Sequence, residues 1–296
     1  MNKLKAQAYH KALTRLRREA MSYLEWINTD IHRDFKAVLF DFDGTLSLIR
    51  EGWQPIMYGY FTEVLTAVSG LPEAEIYNLV KDFVDLLTGE QTIYQCIRLA
   101  EEVRKHGGQP EDPLVYKAEY SRRLLAHIAH RREALACGAA DPEEYLVPGS
   151  IELLEELRSR GLTLYLASGT DHEHVLEEAQ ALKIDQYFNG GIFGALDDYE
   201  NFSKEQVIRE LILPKIDSGH GLLGFGDGYV EIENVKAAGG IAVGVASNER
   251  ERRGIDAWKR PRLVRAGADV IIGDYRVREK LIPELMGGGK ACVSHV

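Results

Sequence analysis

Lys36-Ala-Val-Leu-Phe-Asp41-Phe-Asp43-Gly-Thr-Leu46 is the stretch that decides how this chain reads. Its apolar run, Ala37 to Phe40, stops on two carboxylates two positions apart, and Gly44-Thr45 follows at once. Apolar residues that end abruptly in Asp and Gly describe a strand buried on both faces and closing at a polar edge. In open α/β sheets that carboxyl edge is where ligands bind. Two acids crowded there repel one another unless a cation or a shared proton relieves them. Alone, the same residues also suit a strand running into a plain Asp-Gly turn. The flanking sequence argues against the plainer reading.

Downstream, residues 47–53 read as a loop. Residues 55–69, 72–87, 90–105 and 113–137 then read as four helices, stopped by Gly70, Gly89, Gly107-Gly108 and Gly138. Proline in a first turn and glycine past the last are the expected punctuation. No strand pattern interrupts them, so residues 53–142 are expected to form an all-α unit. From Pro148 onward the pattern changes. Apolar strands at 162–167, 191–194, 221–225, 241–245 and 270–272 alternate with helices at 151–160, 171–181, 203–213 and 232–238. Such alternation argues for a doubly wound, parallel sheet.

The expected architecture is therefore a Rossmann-like α/β core, 35–52 with 143–286, carrying a helical cap at 53–142 inserted after its first strand. An N-terminal extension, 1–34, precedes it, and 287–296 form a frayed tail. Within the extension, Leu4, Leu13, Leu16, Met21, Leu24 and Ile27 recur at helical spacing over 3–28. The reading is an appended helix packing on the core, on a partner or on a second copy. Its early Lys and Arg also suit an interfacial or targeting segment.

Composition excludes several classes. A net charge of −10 on 296 residues argues against a nucleic-acid partner, since phosphate backbones need a basic face. No apolar run approaches the ~20 residues of a membrane span, and the first residues lack the apolar core of a secretion signal. Three cysteines with no metal-ligand spacing suggest no disulfide framework. The expectation is a cytoplasmic, globular protein with neither membrane nor nucleic acid as partner.

Chemistry collects at three strand ends: Asp41 with Asp43, Ser168 with Gly169, and Asp227 with Glu231 close behind. Carboxylates of Asp41 and Asp227 suit a hard divalent cation, Mg²⁺ in particular, which is usually held by one or two carboxylates plus substrate phosphate. The Ser168 hydroxyl and Gly169 N–H, near a helix start, make an anion site. Lys204, also at a helix start, brings a positive charge to the same anion. A carboxylate nucleophile, a second acid, a cation and an oxyanion cradle together describe phosphoryl transfer through an aspartyl phosphate.

Asp41-Phe-Asp-Gly-Thr-Leu, Ser168-Gly-Thr, Lys204 and Gly226-Asp-Gly-Tyr-Val-Glu231 resemble the four ordered motifs of the haloacid dehalogenase superfamily. The resemblance covers roughly 36–46 and 145–275, and the helices between sit where that family inserts its cap. It is similar to the family's phosphoglycolate phosphatase and phosphoglucomutase branches. The resemblance implies Asp41 as nucleophile and Asp43 as acid and then base. It implies Mg²⁺ held by Asp41, Asp227 and the backbone carbonyl of Asp43. Ser168, Gly169 and Lys204 would hold the phosphoryl oxygens. Glu231 departs from the Asp that many relatives carry, so it is expected in an outer shell. An acid at position 43 favours phosphatases and sugar phosphomutases over carbon–halogen hydrolases. The expected function is a Mg²⁺-dependent hydrolase of small phosphomonoesters, with a sugar phosphomutase as the nearest rival and a non-catalytic binding module as the third reading.

Weaker features take plainer expectations. Asp171-His-Glu-His174 reads as a solvated helical turn with His172 at the pocket edge, and Arg50 and Trp53 as packing. Arg131-Arg132 read as a solvated face, and 249–262 as an exposed loop from which one Arg would reach substrate.

Overall fold

A computed structural model describes residues 23–196 and 203–287. Seven strands form one sheet: β1 (Leu24–Trp26), β2 (Ala37–Phe40), β3 (Thr163–Asp171), β4 (Gly191–Ala195), β5 (Leu222–Gly226), β6 (Ile241–Val245) and β7 (Val270–Ile272). Their order is β1-β7-β6-β5-β2-β3-β4. All pairings are parallel except that of β1 with β7. β2 lies between β3 and β5, where the winding reverses direction. That reversal opens a crevice at the carboxyl ends of the strands, the usual ligand position in this architecture.

β2 is buried at every residue, which is what its unbroken apolar run requires. Ala37 and Leu39 face one core layer with Tyr165, Val235 and Ile271. Val38 and Phe40 face the other with Leu166, Phe225 and Val243. Phe40 stacks on Phe225 with ring centroids 4.8 Å apart, fixing β2 against β5.

Between β2 and the rest of the sheet come four helices: α1 (Trp53–Ser69), α2 (Glu73–Leu86), α3 (Thr92–Lys105) and α4 (Pro113–Ala136). Their ends fall where the punctuation put them. Gly70 closes α1 with φ +66°, a left-handed conformation that glycine adopts without strain. Asp112 caps α4 by accepting the Leu114 N–H at 2.8 Å, with Pro113 in the first turn. Phe61 and Phe83 stack at 6.1 Å and join α1 to α2.

Beyond them, α5 (Ser150–Ser159), α6 (His172–Ala181) and α10 (Arg278–Met286) cover one face of the sheet through Leu153, Val175 and Leu281. α7 (Lys204–Gln206), α8 (Tyr229–Ala237) and α9 (Lys259–Arg265) cover the other, with Ile232, Val235 and Leu263 pointing inward. α7 continues as a π-helical stretch, Val207–Ile212, rather than as the regular helix the sequence suggested.

Three expectations need correction. The helix expected over 3–28 is not helical at its end: Leu24–Trp26 is a strand paired with β7, Leu24 opposite Ile272 and Trp26 opposite Val270. β7 would otherwise present a row of unpaired N–H and C=O groups, and Leu-Glu-Trp-Ile supplies residues that sit well on a pleated surface. Residues 3–22 of that expected helix, and 288–296 of the expected tail, lie outside the described residues. The break expected at Ser168 is instead a continuation of β3 to Asp171, with a register shift against β4 after Ala167. Lastly, 249–262 is not simply exposed. Ser247 bridges to Ile255, Arg252 donates to the Glu143 and Leu146 carbonyls at 2.8 and 2.6 Å, and α9 begins within the run. No helix among the described residues is long and apolar enough to cross a membrane.

Candidate active site

Ending together at the crevice, β2, β3 and β5 gather the residues singled out above. Asp41, Asp43, Ser168, Gly169, Lys204 and Asp227 all line one cavity of ≈ 110 Å³. Its far wall comes from the helical segment, including Trp53, Thr88, Gly89, Glu90, Lys117 and Tyr120.

Asp41 sits at the floor, 6% exposed. Lys204 Nζ lies 2.6 Å from Asp41 Oδ1, and the Thr45 hydroxyl donates to Asp41 Oδ2 at 3.2 Å. The same hydroxyl accepts the Asp227 N–H at 2.9 Å, so Thr45 ties the β2 end to the β5 end. Burial raises the Asp41 pKa, the Lys204 ammonium opposes that rise, and Asp227 adds to it. Ser203 caps α7 by accepting the Gln206 N–H at 3.1 Å, which places Lys204 in the first turn. Lys204 also pairs with Glu231, itself 3% exposed. Glu231 thus stands behind the lysine, one side chain removed from Asp41.

Asp43 faces Asp41 across the turn and is held from β3. Thr170 Oγ1 donates to Asp43 Oδ2 at 2.8 Å, and Ser168 Oγ lies 3.5 Å from the same oxygen. Burial pushes the Asp43 carboxyl up to about 7, against the pull of Arg50 and with a further push from Glu178. At neutral pH such an acid is divided between its two forms, which suits a group that gives and then takes a proton.

Gly44 makes this turn feasible. It has φ +72°, and a Cβ there would lie 2.2 Å from Asp227 Oδ2. Close approach recurs opposite: a Cβ on Gly169 would stand 3.1 Å from the Glu90 carbonyl. The loop between α2 and α3 packs directly on β3, and Tyr229 donates to Glu90 Oε1 at 3.0 Å from the β5 side. Two ion pairs join α4 to the core, Lys117 with Asp171 at the end of β3 at 2.5 Å, and Arg132 with Glu177 on α6 at 2.5 Å. Arg131 donates to the Ile49 and Glu51 carbonyls at 2.7 and 2.8 Å. The solvated face expected for Arg131-Arg132 is corrected accordingly. At the helical turn after β3, His174 rather than His172 borders the cavity.

Sequence reasoning missed four contributors. Thr45 and Thr170 lay inside the motifs but carried no distinguishing spacing. Arg50, read as packing, grips Glu178 and approaches Asp43 to 3.7 Å. Lys259, hidden in a charged run, pairs with Asp227 Oδ2 at 2.7 Å and is 7% exposed. Burial works against its charge, yet Asp227 and Glu249 hold its pKa above the ordinary lysine value.

A family model of haloacid dehalogenase-like hydrolases matches residues 35–239, well over half of the sequence. The chain belongs to the haloacid dehalogenase-like hydrolases. Among solved structures of that fold, a predicted phosphoglycolate phosphatase from Haemophilus somnus 129pt aligns with a TM-score of 0.54. It shares 21% identity over 84% of this chain and 98% of its own. A β-phosphoglucomutase from Clostridium difficile aligns with a TM-score of 0.54 at 15% identity, over 85% of this chain and 97% of its own. A predicted phosphatase from Clostridium acetobutylicum gives 0.51 at 18% identity, over 85% and 99%. At these identities the likeness is one of fold. No curated protein matches the chain.

The cation-binding expectation can be weighed on the donors themselves. Among the described residues, no three His, Cys, Asp or Glu side chains stand together in a metal-holding group. Asp41 and Asp227 do face each other closely enough for one to raise the other's pKa, and both offer only oxygen. Their charges are met here by Lys204 and Lys259. Hard, all-oxygen donors with mutual repulsion fit Mg²⁺ chemically.

Proposed function

We propose that this chain is a phosphatase of small phosphomonoesters that works through an aspartyl phosphate on Asp41. The observation that carries the reading is the pairing of Asp41 with Lys204 at 2.6 Å on the floor of a small, covered cavity, with Asp43 beside it. The Lys204 ammonium opposes the effect of burial on the nucleophile and stands ready to meet phosphoryl oxygens.

One Asp41 oxygen attacks phosphorus and the bond to the leaving oxygen breaks. Protonated Asp43 gives its proton to that oxygen, so an alcohol departs rather than an alkoxide. Asp43, now a carboxylate, takes a proton from the water that attacks the phosphoenzyme. The acyl-phosphate P–O bond then breaks, Asp41 is restored, and inorganic phosphate leaves. Ser168 and the Gly169 N–H border the phosphoryl position with Lys204. Mg²⁺, held by Asp41, Asp227 and the Asp43 carbonyl, would supply shielding of the phosphoryl charge. Glu231 acts through Lys204, as an outer residue. The helical segment excludes water and bounds substrate size.

A panel of phosphomonoesters, with Mg²⁺ and with chelator, tests this. Mg²⁺-dependent release of inorganic phosphate, abolished in Asp41→Asn, is the expected result. Interconversion of isomeric sugar phosphates that needs a bisphosphate and releases no phosphate would instead identify a mutase. Loss of neither activity nor phosphoenzyme in Asp41→Asn would overturn the assignment.

A further inference from the structure

Lys259 is held in an unusual way for a residue from a charged surface run. Its Nζ lies 2.7 Å from Asp227 Oδ2, 2.7 Å from Glu249 Oε1 and 3.0 Å from Ser247 Oγ. These oxygens come from two separate stretches: Asp227 from the β5 end, and Ser247 and Glu249 from the loop after β6. An ammonium has three N–H donors, and here each has an acceptor within reach. The side chain is only 8% exposed, so the ion sits out of water with oxygen ligands around it.

The cradle is built rather than incidental. Asp256 accepts the N–H groups of Trp258 and Lys259 at 2.9 Å each, fixing the start of α9 from which the lysine stem projects. Ser247 Oγ also donates to the Gly44 carbonyl at 2.5 Å, tying the cradle to the turn that carries Asp43. A Cβ on Gly44 would stand 3.0 Å from Nζ, which shows how closely the ammonium fills its place. Two carboxylates and a hydroxyl converging on one point are the donor set of a hard cation. A compact point charge on a flexible stem suits that point, where a planar guanidinium would not.

We propose that Lys259 is a tethered cation: it occupies an oxygen cradle beside the nucleophile turn, holds Asp227 by Oδ2, and keeps Asp227 and Glu249 from capturing a second divalent ion. The divalent cation proposed at Asp41 and Asp227 then remains single. Only this last statement rests on the proposed function, because the cradle stands on the contacts of Nζ alone.

Mn²⁺ is the probe, with free Mn²⁺ in a titration of the full chain followed by its electron paramagnetic resonance signal. The wild-type protein is expected to bind one ion and Lys259→Met two. Glu249→Gln added to Lys259→Met returns the count to one, which places the extra ion in the cradle. In Lys259→Ala, n-propylammonium replaces the missing atoms and lowers the count from two to one, an effect that no purely structural role produces. Unchanged stoichiometry and affinity in Lys259→Met overturns the proposal. Should that variant fail to fold, Glu249→Gln alone leaves the ammonium with Asp227 as its sole carboxylate, and Mn²⁺ affinity is expected to fall about tenfold. Unaltered affinity there counts equally against the idea. Absence of Mn²⁺ binding in the wild-type protein would defeat the metal reading, whereas the gain of one ion in Lys259→Met would still establish the cradle.

Discussion

Arg50 and Glu178 meet end to end: Arg50 Nε lies 3.2 and 3.1 Å from the two Glu178 oxygens, and a terminal nitrogen lies 2.8 Å from Oε1. The same Nε stands 3.7 Å from Asp43 Oδ1. One guanidinium therefore joins the segment leading into α1, the core helix α6, and the proposed acid. Glu178 is 1% exposed, so removing its partner strands a buried charge. Breaking such a pair from one side costs about 3–5 kcal/mol, while replacing both partners by apolar groups is often neutral. Arg50→Met is expected to lower the urea midpoint accordingly, and Arg50→Met with Glu178→Leu to recover most of it. A double variant as unstable as the single would show that the pair is not the source.

The Asp43 carboxyl, pushed up to about 7 by burial with Arg50 opposing, gives the reaction a pH signature. The protonated form is needed to expel a poor leaving group. Above the pKa that form is lost tenfold per unit, so kcat/KM for an alkyl phosphate is expected to fall as pH rises beyond about 7. p-Nitrophenyl phosphate needs no proton on its leaving group and should show no such limb. In Asp43→Asn the alkyl substrate suffers far more than the aryl one. Identical pH profiles for the two substrates would remove Asp43 from the acid role.

Lys204 is shared between Asp41 and Glu231, both buried. Lys204→Met leaves two carboxylates with no cation, so stability and rate are both expected to drop. Loss of one preorganised donor to a developing oxyanion typically costs about 10²–10³ in kcat. Glu231→Gln in the same background removes one stranded charge and should restore stability without restoring rate. That split separates holding the fold from handling phosphate. Recovery of rate along with stability would mean that Lys204 serves only to neutralise Glu231.

What was readable in the sequence follows from locality. β2 was legible because both its faces are buried, leaving a run without alternation that ends where the acids begin. The helices of the insertion were legible because Pro113, Gly70 and Gly138 act on their own neighbours. Asp41, Asp43, Ser168 and Asp227 were legible because strand ends in a parallel sheet converge on one edge. β1 was not, since its leucine spacing is helical and only the distant edge of β7 makes a strand there favourable. Lys259 was hidden for a similar reason: its burial depends on how the loop after β6 folds back on Gly44. Arg131 pointed toward solvent by helical pattern, yet finds carbonyls at positions 49 and 51 that no periodicity reveals.

Gly44 and Gly70 offer a controlled comparison of strain against displacement. Both are left-handed, at φ +72° and +66°. A Cβ on Gly70 meets nothing within 4 Å, whereas one on Gly44 would sit 2.2 Å from Asp227 Oδ2 and 2.8 Å from its Cγ. Left-handed strain costs about 1–2 kcal/mol in either place. Gly70→Ala is expected to lose that much stability and keep its activity. Gly44→Ala should lose at least as much and also force the Asp227 carboxylate away from both Lys259 and the cavity. Its phosphatase activity is therefore expected to fall at least about hundredfold, comparable to loss of a transition-state contact, with the far-ultraviolet circular dichroism preserved. If Gly44→Ala behaves like Gly70→Ala in the activity assay, the placement of Asp227 is not essential to turnover, and its role in holding the cation fails with it.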